Sequence, residues 1–414
     1  MSKGGVKNMG NYKFNTRIDI LPTIAFLKED GTFDKDAALN LSGKIAGVCY
    51  DKEGFNHLVN EPVEKTNRRI DMTLNNGHHS VYDHINISFN LQNVPKMLAM
   101  VINNEHQYTT SEKSARYTPV QVSGESIITD KEVELYNKWI EIFKVKIKEQ
   151  YGYIYNDAKI QKLAQENARY MVTVFMPTQM IYTTSLRQIN YIASWMKKYI
   201  DEADMNDEYQ VKLATAMDEF ICELKRLNIL EKGLLENEKH RSLSLFGESL
   251  NPEYIDADEE IFESVYSTTY KGTFAQLAQA HRHRTLDYKM ERLENKEYYV
   301  PPIIRDDRDL VREWLKDIKS VESVTPQGEM VWINEKGKYE DFILKCKERL
   351  CSAAQLEIMD QTRDTLLKYR DNTTNMKIKA DIEKYTKGAR CTFRDFECSQ
   401  DCKFKEGKLM TRKI

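Results

Sequence analysis

Ile85, Ile87, Phe89 and Leu91 alternate with Asn86, Ser88 and Asn90, the period-two pattern of a strand with one buried face. Pro95 closes that run, and residues 96–103 read as a helix behind it. Residues 1–30 read as a strand-bearing opening segment that ends on the turn-like Lys28-Glu29-Asp30-Gly31. From Asp130 the period changes to that of long helices. Asp130 is the expected N-cap, Glu132 and Glu134 fall in the first turn, and Leu135, Trp139, Ile142 and Phe143 recur at helical spacing, a stripe read as core packing. Residues 191–200 and 207–228 read as further helices. Residues 230–260 turn polar and acidic (Glu236, Glu238, Asp256, Asp258, Glu259, Glu260), a junction between two halves. The second half repeats the rhythm: a helix over 273–281, an irregular middle, and a helix over 339–369.

Composition narrows the class. The chain has 414 residues, 41% hydrophobic and 30% charged, which excludes wholesale disorder. Lys plus Arg is 61 against 64 Asp plus Glu, a net charge of −3, so a dedicated nucleic-acid binder is not expected. No run approaches the ~18 apolar residues of a membrane helix, and the first residues carry no apolar signal core. Seven cysteines in a chain with no export signal fit free thiols in a reducing compartment. A cytoplasmic protein with no membrane partner is the expectation.

Three clusters carry candidate chemistry. Gly77-His78-His79-Ser80-Val81-Tyr82-Asp83-His84 precedes the alternating strand; a metal set there would need a further spaced ligand, so Ser80 and the backbone after Gly77 are read as cofactor contacts instead. Glu112-Lys113-Ser114-Ala115-Arg116-Tyr117 places a carboxylate, a hydroxyl and a guanidinium on one side of an extended segment. A serine and an arginine facing one way suit a phosphate or a uracil-like ring edge, while a surface loop with an ion pair is the alternative. Gln279-Ala280-His281-Arg282-His283-Arg284 packs donors against a helix end behind the apolar Phe274–Ala278, and points to an anion or flavin site. Cys391, Cys398 and Cys402 near the C-terminus could hold zinc with a fourth ligand from elsewhere, but reduced thiols are the default, so no metal is assigned.

Together these motifs resemble the flavin-dependent thymidylate synthases. The family's H-x-S-x-x-E-H is similar to His78 to His84, with Asp83 in place of Glu. Its Q-x-x-R-H-R, followed shortly by E-x-S-x-R-Y, is normally continuous and here is split. The first half keeps the tail (Glu112, Ser114, Arg116, Tyr117) and has Asn104-Glu105-His106 where R-H-R belongs. The second half keeps the head (Gln279, Arg282, His283, Arg284) and has Met290-Glu291-Arg292-Leu293-Glu294 where the tail belongs. Ala168-Arg169, Pro177 and Thr183 to Asn190 resemble the next family stretch. Five residues after Asn190, Trp195 stands where the family has an arginine; the second half supplies that residue as Arg349, in Arg349 to Ile358, which reads R-x4-A-Q-x-E-I and resembles the family's stretch.

The resemblance implies an α+β fold of two divergent tandem copies, residues 1–230 and 231–414, each a mostly antiparallel sheet packed with long helices. It implies that FAD, reduced by NADPH, works with 5,10-methylenetetrahydrofolate to methylate dUMP to dTMP, at a composite site that pools complementary motifs from the two halves. Arg349 would be the catalytic residue. Gln279, Arg282, Ser114, Arg116, Arg169 and Arg349 would hold dUMP. Ser80, Glu112, Arg282, His283, Arg284, Ser185, Arg187 and Asn190 would hold FAD. The family's homotetramer further implies a homo-oligomer, here a dimer of two-unit chains. A related pyrimidine C5 modification such as hydroxymethylation, or a nucleotide- or flavin-binding paralogue without turnover, remains open as an alternative.

Overall fold

The computed structural model describes residues 12–22, 25–114, 120, 127–236, 243–246, 260–399 and 402–414. In chain order its elements are β1 (Arg17–Ile20), α1 (Lys35–Gly47), α2 (Phe55–Leu58), α3 (Val63–Asn75), β2 (Asn86–Pro95), α4 (Lys96–Ile102) and β3 (Tyr108–Glu112). Then come α5 (Asp130–Tyr151), α6 (Asp157–Ala168), β4 (Pro177–Ser185), α7 (Leu186–Glu202), α8 (Glu208–Arg226) and α9 (Lys232–Glu236). The remainder holds β5 (Ile261–Phe262), β6 (Val265–Thr273), α10 (Phe274–Ala280), β7 (Asp287–Arg292), α11 (Arg308–Lys319) and β8 (Met330–Lys338). It ends with α12 (Tyr339–Arg349), α13 (Leu356–Asn372), α14 (Met376–Ile382) and α15 (Lys405–Leu409).

Two compact units emerge: residues 1–113 with 177–243, and residues 114–176 with 244–414. The first contains an antiparallel sheet in the order β1-β2-β4-β3. Its centre is the alternating strand the pattern predicts, with Ile87, Phe89 and Leu91 buried along β2. The second contains another antiparallel sheet, β5-β6-β8-β7, with the same relative strand order. In each sheet the two long inner strands run straight into helices: β2 into α4 and β4 into α7, β6 into α10 and β8 into α12. Ser185 and Thr273 cap two of these junctions, their side chains accepting the backbone N–H of Gln188 and Gln276. The result is a mixed fold with two antiparallel four-stranded sheets.

The units do not follow the contiguous halves read from the sequence. Residues 114–176 belong with the second unit because the stripe on α5 is completed there. Trp139 meets Trp314 edge-on at 4.8 Å, and Phe143 meets Trp314 at 5.5 Å. Leu135, Ile147, Leu163 and Met171 bury with Ile303, Ile304 and Ile318 in one core. Two local expectations shift as well. Thr129, not Asp130, caps α5, in a reciprocal capping box with Glu132. The helix expected over 339–369 is two helices, because residues 350–355 leave the helical path and their backbone finds other partners. Arg390 N–H donates to Leu350 O, and the Arg412 guanidinium donates to Ala354 O at 2.6 Å. The acidic junction lies mostly outside the described residues.

Candidate active site

In the second unit the site is built around α10, every residue of which is buried. Its approach is tight: a Cβ on Gly272 would lie 2.7 Å from Gln276 Oε1 and 2.8 Å from Ile333 Cδ1, so a larger residue there would require those two side-chain ends to shift. The buried carboxylate of Glu357 secures the helix start, accepting the Thr273 N–H at 2.8 Å, the Thr273 hydroxyl at 2.8 Å and the Tyr170 hydroxyl at 2.8 Å. Burial pushes the Glu357 carboxyl above its ordinary range even though these donors favour the charge.

The donor cluster follows α10, and burial sorts its members. Gln279, His281 and His283 are buried, whereas Arg282 and Arg284 are exposed. Gln279 is 7% exposed, and among the described residues its Nε2 has no hydrogen-bond partner. A buried amide donor without a partner costs about 1–3 kcal/mol, so an acceptor from beyond the described residues is expected. Arg349, the last residue of α12, donates from Nε to His283 Nε2 at 2.6 Å and from Nη2 to Gln279 O at 3.4 Å. On the other side of the His283 ring, Nδ1 lies 3.3 Å from Glu348 Oε2. Burial, then the nearby charges of Arg349 and Lys345, hold His283 well below the usual histidine range, so its ring is neutral.

The segment after Arg349 reaches a second cation. Gln355 Oε1 accepts from Arg169 Nη2 at 3.1 Å, and Gln355 Nε2 donates to the Tyr170 hydroxyl. Arg169, Gln279, His283 and Arg349, drawn from both halves of the sequence, thus share one compact unit. Beneath α12, Lys345 pairs with Glu335, both fully buried, and Lys345 Nζ donates to Gln361 Oε1 at 2.9 Å. The hydroxyls of Tyr266 and Tyr270 donate to the Glu335 carboxylate at 2.7 and 3.0 Å. Ser114 is half-buried at the end of a described stretch, and Arg116 lies outside the described residues.

The first unit gathers the other predicted residues around Asp83. Ser185 Oγ donates to its Oδ1 and Arg187 Nη1 to its Oδ2, each at 2.7 Å, while the Arg187 guanidinium lies over the Tyr191 ring. Asn190 is engaged within the fold: Nδ2 donates to Leu186 O at 2.9 Å and Ile229 O at 3.3 Å, and Oδ1 accepts the Glu231 N–H at 2.8 Å. Glu112 pairs with Lys96, and Ser80 is exposed. His79 is buried, accepting from the Tyr191 hydroxyl at Nδ1 and donating from Nε2 to Leu74 O, whereas His78 and His84 are exposed. Trp195 is buried beside Tyr191, filling as core the place where an arginine was expected.

Among the described residues no three His, Cys, Asp or Glu side chains are arranged to hold a metal ion. Cys391 is half-buried, and Cys398 and Cys402 are exposed. No helix there is long and apolar enough to cross a membrane.

Residues 34–199 match the family model Thy1, described as thymidylate synthase complementing protein. No curated protein matches the chain. The Thy1 match supports a thymidylate-synthase-type function in nucleotide biosynthesis, and it contains Ser80, Glu112, Ser114, Arg116, Arg169, Ser185, Arg187 and Asn190. Gln279, Arg282, His283, Arg284 and Arg349 lie beyond it. Sequence reasoning assigned no site role to Glu348, Gln355, Glu357 or Tyr170. Gln355 and Glu357 stand inside the R-x4-A-Q-x-E-I stretch, so their spacing was a usable signal; Glu348 and Tyr170 had none beyond adjacency to an arginine.

Proposed function

We propose that the chain methylates dUMP to dTMP with 5,10-methylenetetrahydrofolate and NADPH, using bound FAD. The observation that carries this reading is the buried Gln279 amide donor, without a partner among the described residues, on the same unit as Arg169, His283 and Arg349. A uracil ring presents carbonyl acceptors to such a donor, and its phosphate suits guanidinium forks. In this reading Gln279, Arg282, Ser114, Arg116 and Arg169 bind the nucleotide. Arg349 faces the pyrimidine edge and stabilises the enolate-like charge that raises electron density at C5. The arginine needs a fixed plane for that task, and its Nε bond to His283 restricts the guanidinium.

The exposed cations of Arg282 and Arg284 suit the diphosphate of FAD, with buried His283 between them. Ser80, Glu112, Ser185, Arg187 and Asn190 are the further flavin contacts; for Glu112 and Asn190, contact would require the bonds described above to open. When bound, the flavin would supply the redox chemistry that links NADPH to the transferred one-carbon unit. No protein nucleophile is needed.

We also infer that residues 1–230 and 231–414 are divergent copies of one unit. The shared strand order, and the inner strands that lead directly into helices, support this reading.

The purified protein should be yellow and should release tritium from [5-³H]dUMP in the presence of the folate and NADPH, with dTMP as product. Tritium release with a hydroxymethylated product would instead favour the related C5 modification. A colourless protein that releases no tritium under these conditions would overturn the enzymatic reading.

A further inference from the structure

We infer that Glu348 is a positioning residue: it holds the proton of His283 on Nδ1, so that Nε2 stays an acceptor and fixes the guanidinium plane of Arg349. The inference deepens the proposed reading and rests on it for the substrate that Arg349 meets, but the tautomer itself does not depend on that reading.

The argument starts from the arginine. Arg349 Nε–H can only donate, so the His283 Nε2 that it meets at 2.6 Å must carry a lone pair. A neutral imidazole has one proton, which must then sit on Nδ1. That nitrogen faces the Glu348 carboxylate at 3.3 Å, an acceptor-only group that rewards a proton there. Burial of the ring and the charges of Arg349 and Lys345 keep a second proton off. Glu348 precedes Arg349 on α12 and is half-exposed, while the His283 side chain is 3% exposed. A surface carboxylate thus acts on a buried contact through one ring. Without the acceptor, the proton can settle on Nε2, where it would oppose the Arg349 N–H and turn the guanidinium away.

Glu348 Oε2 also lies 3.9 Å from Arg349 Nη2, so a simple charge effect is the competing account. The two accounts separate on one substitution. Glu348→Gln removes the charge and keeps an oxygen acceptor, whereas Glu348→Ala removes both. Nitrogen-15 NMR of histidine-labelled full-length chain reads the tautomer directly, with the His283 signals assigned by their loss in His283→Gln. Titration of each chain with dUMP reads the consequence.

Wild type and Glu348→Gln should both show a protonated Nδ1 and an unprotonated Nε2 on His283. Their dUMP affinities should agree within about twofold. Glu348→Ala should lose the tautomer preference and bind dUMP about five- to tenfold more weakly, the size of one modest hydrogen bond. Glu348→Gln behaving like Glu348→Ala would show that charge is what matters and overturn the inference, as would an unchanged tautomer in Glu348→Ala. If wild type fails to bind dUMP at all, the proposed function fails, and the tautomer measurement alone decides the role of Glu348.

Discussion

Gln279 and His283 are buried on the turn of chain that exposes Arg282 and Arg284, yet all four read as one donor cluster in the sequence. Which donors face inward is a matter of how α10 ends, and that depends on what lies against it. The buried Gln279 amide is the most telling of these side chains, because a protein keeps an unpartnered buried donor at a cost in stability. Gln279→Leu removes the donor while keeping similar bulk. Thermal melting should show it as stable as wild type or more stable, by up to about 1 kcal/mol, while dUMP titration shows at least about a tenfold loss, the size expected when a buried bond to ligand is removed. A destabilised variant with unchanged dUMP affinity would mean that the amide serves the fold and not a ligand.

At the scale of elements, strand β2 and helices α7 and α8 were legible because one face or stripe is apolar, and α4 and α10 because each is a short apolar run that is buried all round. The 339–369 stretch misled for the same reason. It holds neither proline nor glycine, and its apolar spacing continues through residues 350–355, where contacts from Arg390 and Arg412 override helical propensity. That break is what places Gln355 and Glu357 against Arg169 and Thr273. Glu357 is the acceptor for three donors at the start of α10. Glu357→Ala should therefore cost about 3 kcal/mol or more in denaturant unfolding, since buried donors are left unsatisfied. Glu357→Gln, which retains one oxygen, should fall in between; equal stability of all three chains would refute the bracing role.

At the scale of the whole molecule, the compact units cross the boundary that the acidic junction suggests. Helix α5 buries Trp139 and Phe143 against Trp314, and its partner residues 303, 304 and 318 come from far along the chain. A fragment of residues 1–230 would expose that face. It should elute as aggregates in size-exclusion chromatography and lack a cooperative melt, and a monodisperse, cooperatively folding fragment would contradict the assignment of α5 and α6 to the second unit. The sequence by itself determined strand β2, several of the helices and the split motifs, because periodicity and motif spacing are local properties of the chain. Tertiary structure alone decided that Arg169 shares a unit with Gln279, His283 and Arg349, and that Asp83 engages Ser185 and Arg187. Those pairings join residues roughly a hundred or more positions apart, and no local pattern encodes which distant side chain will neutralise a charge or leave a donor unpaired.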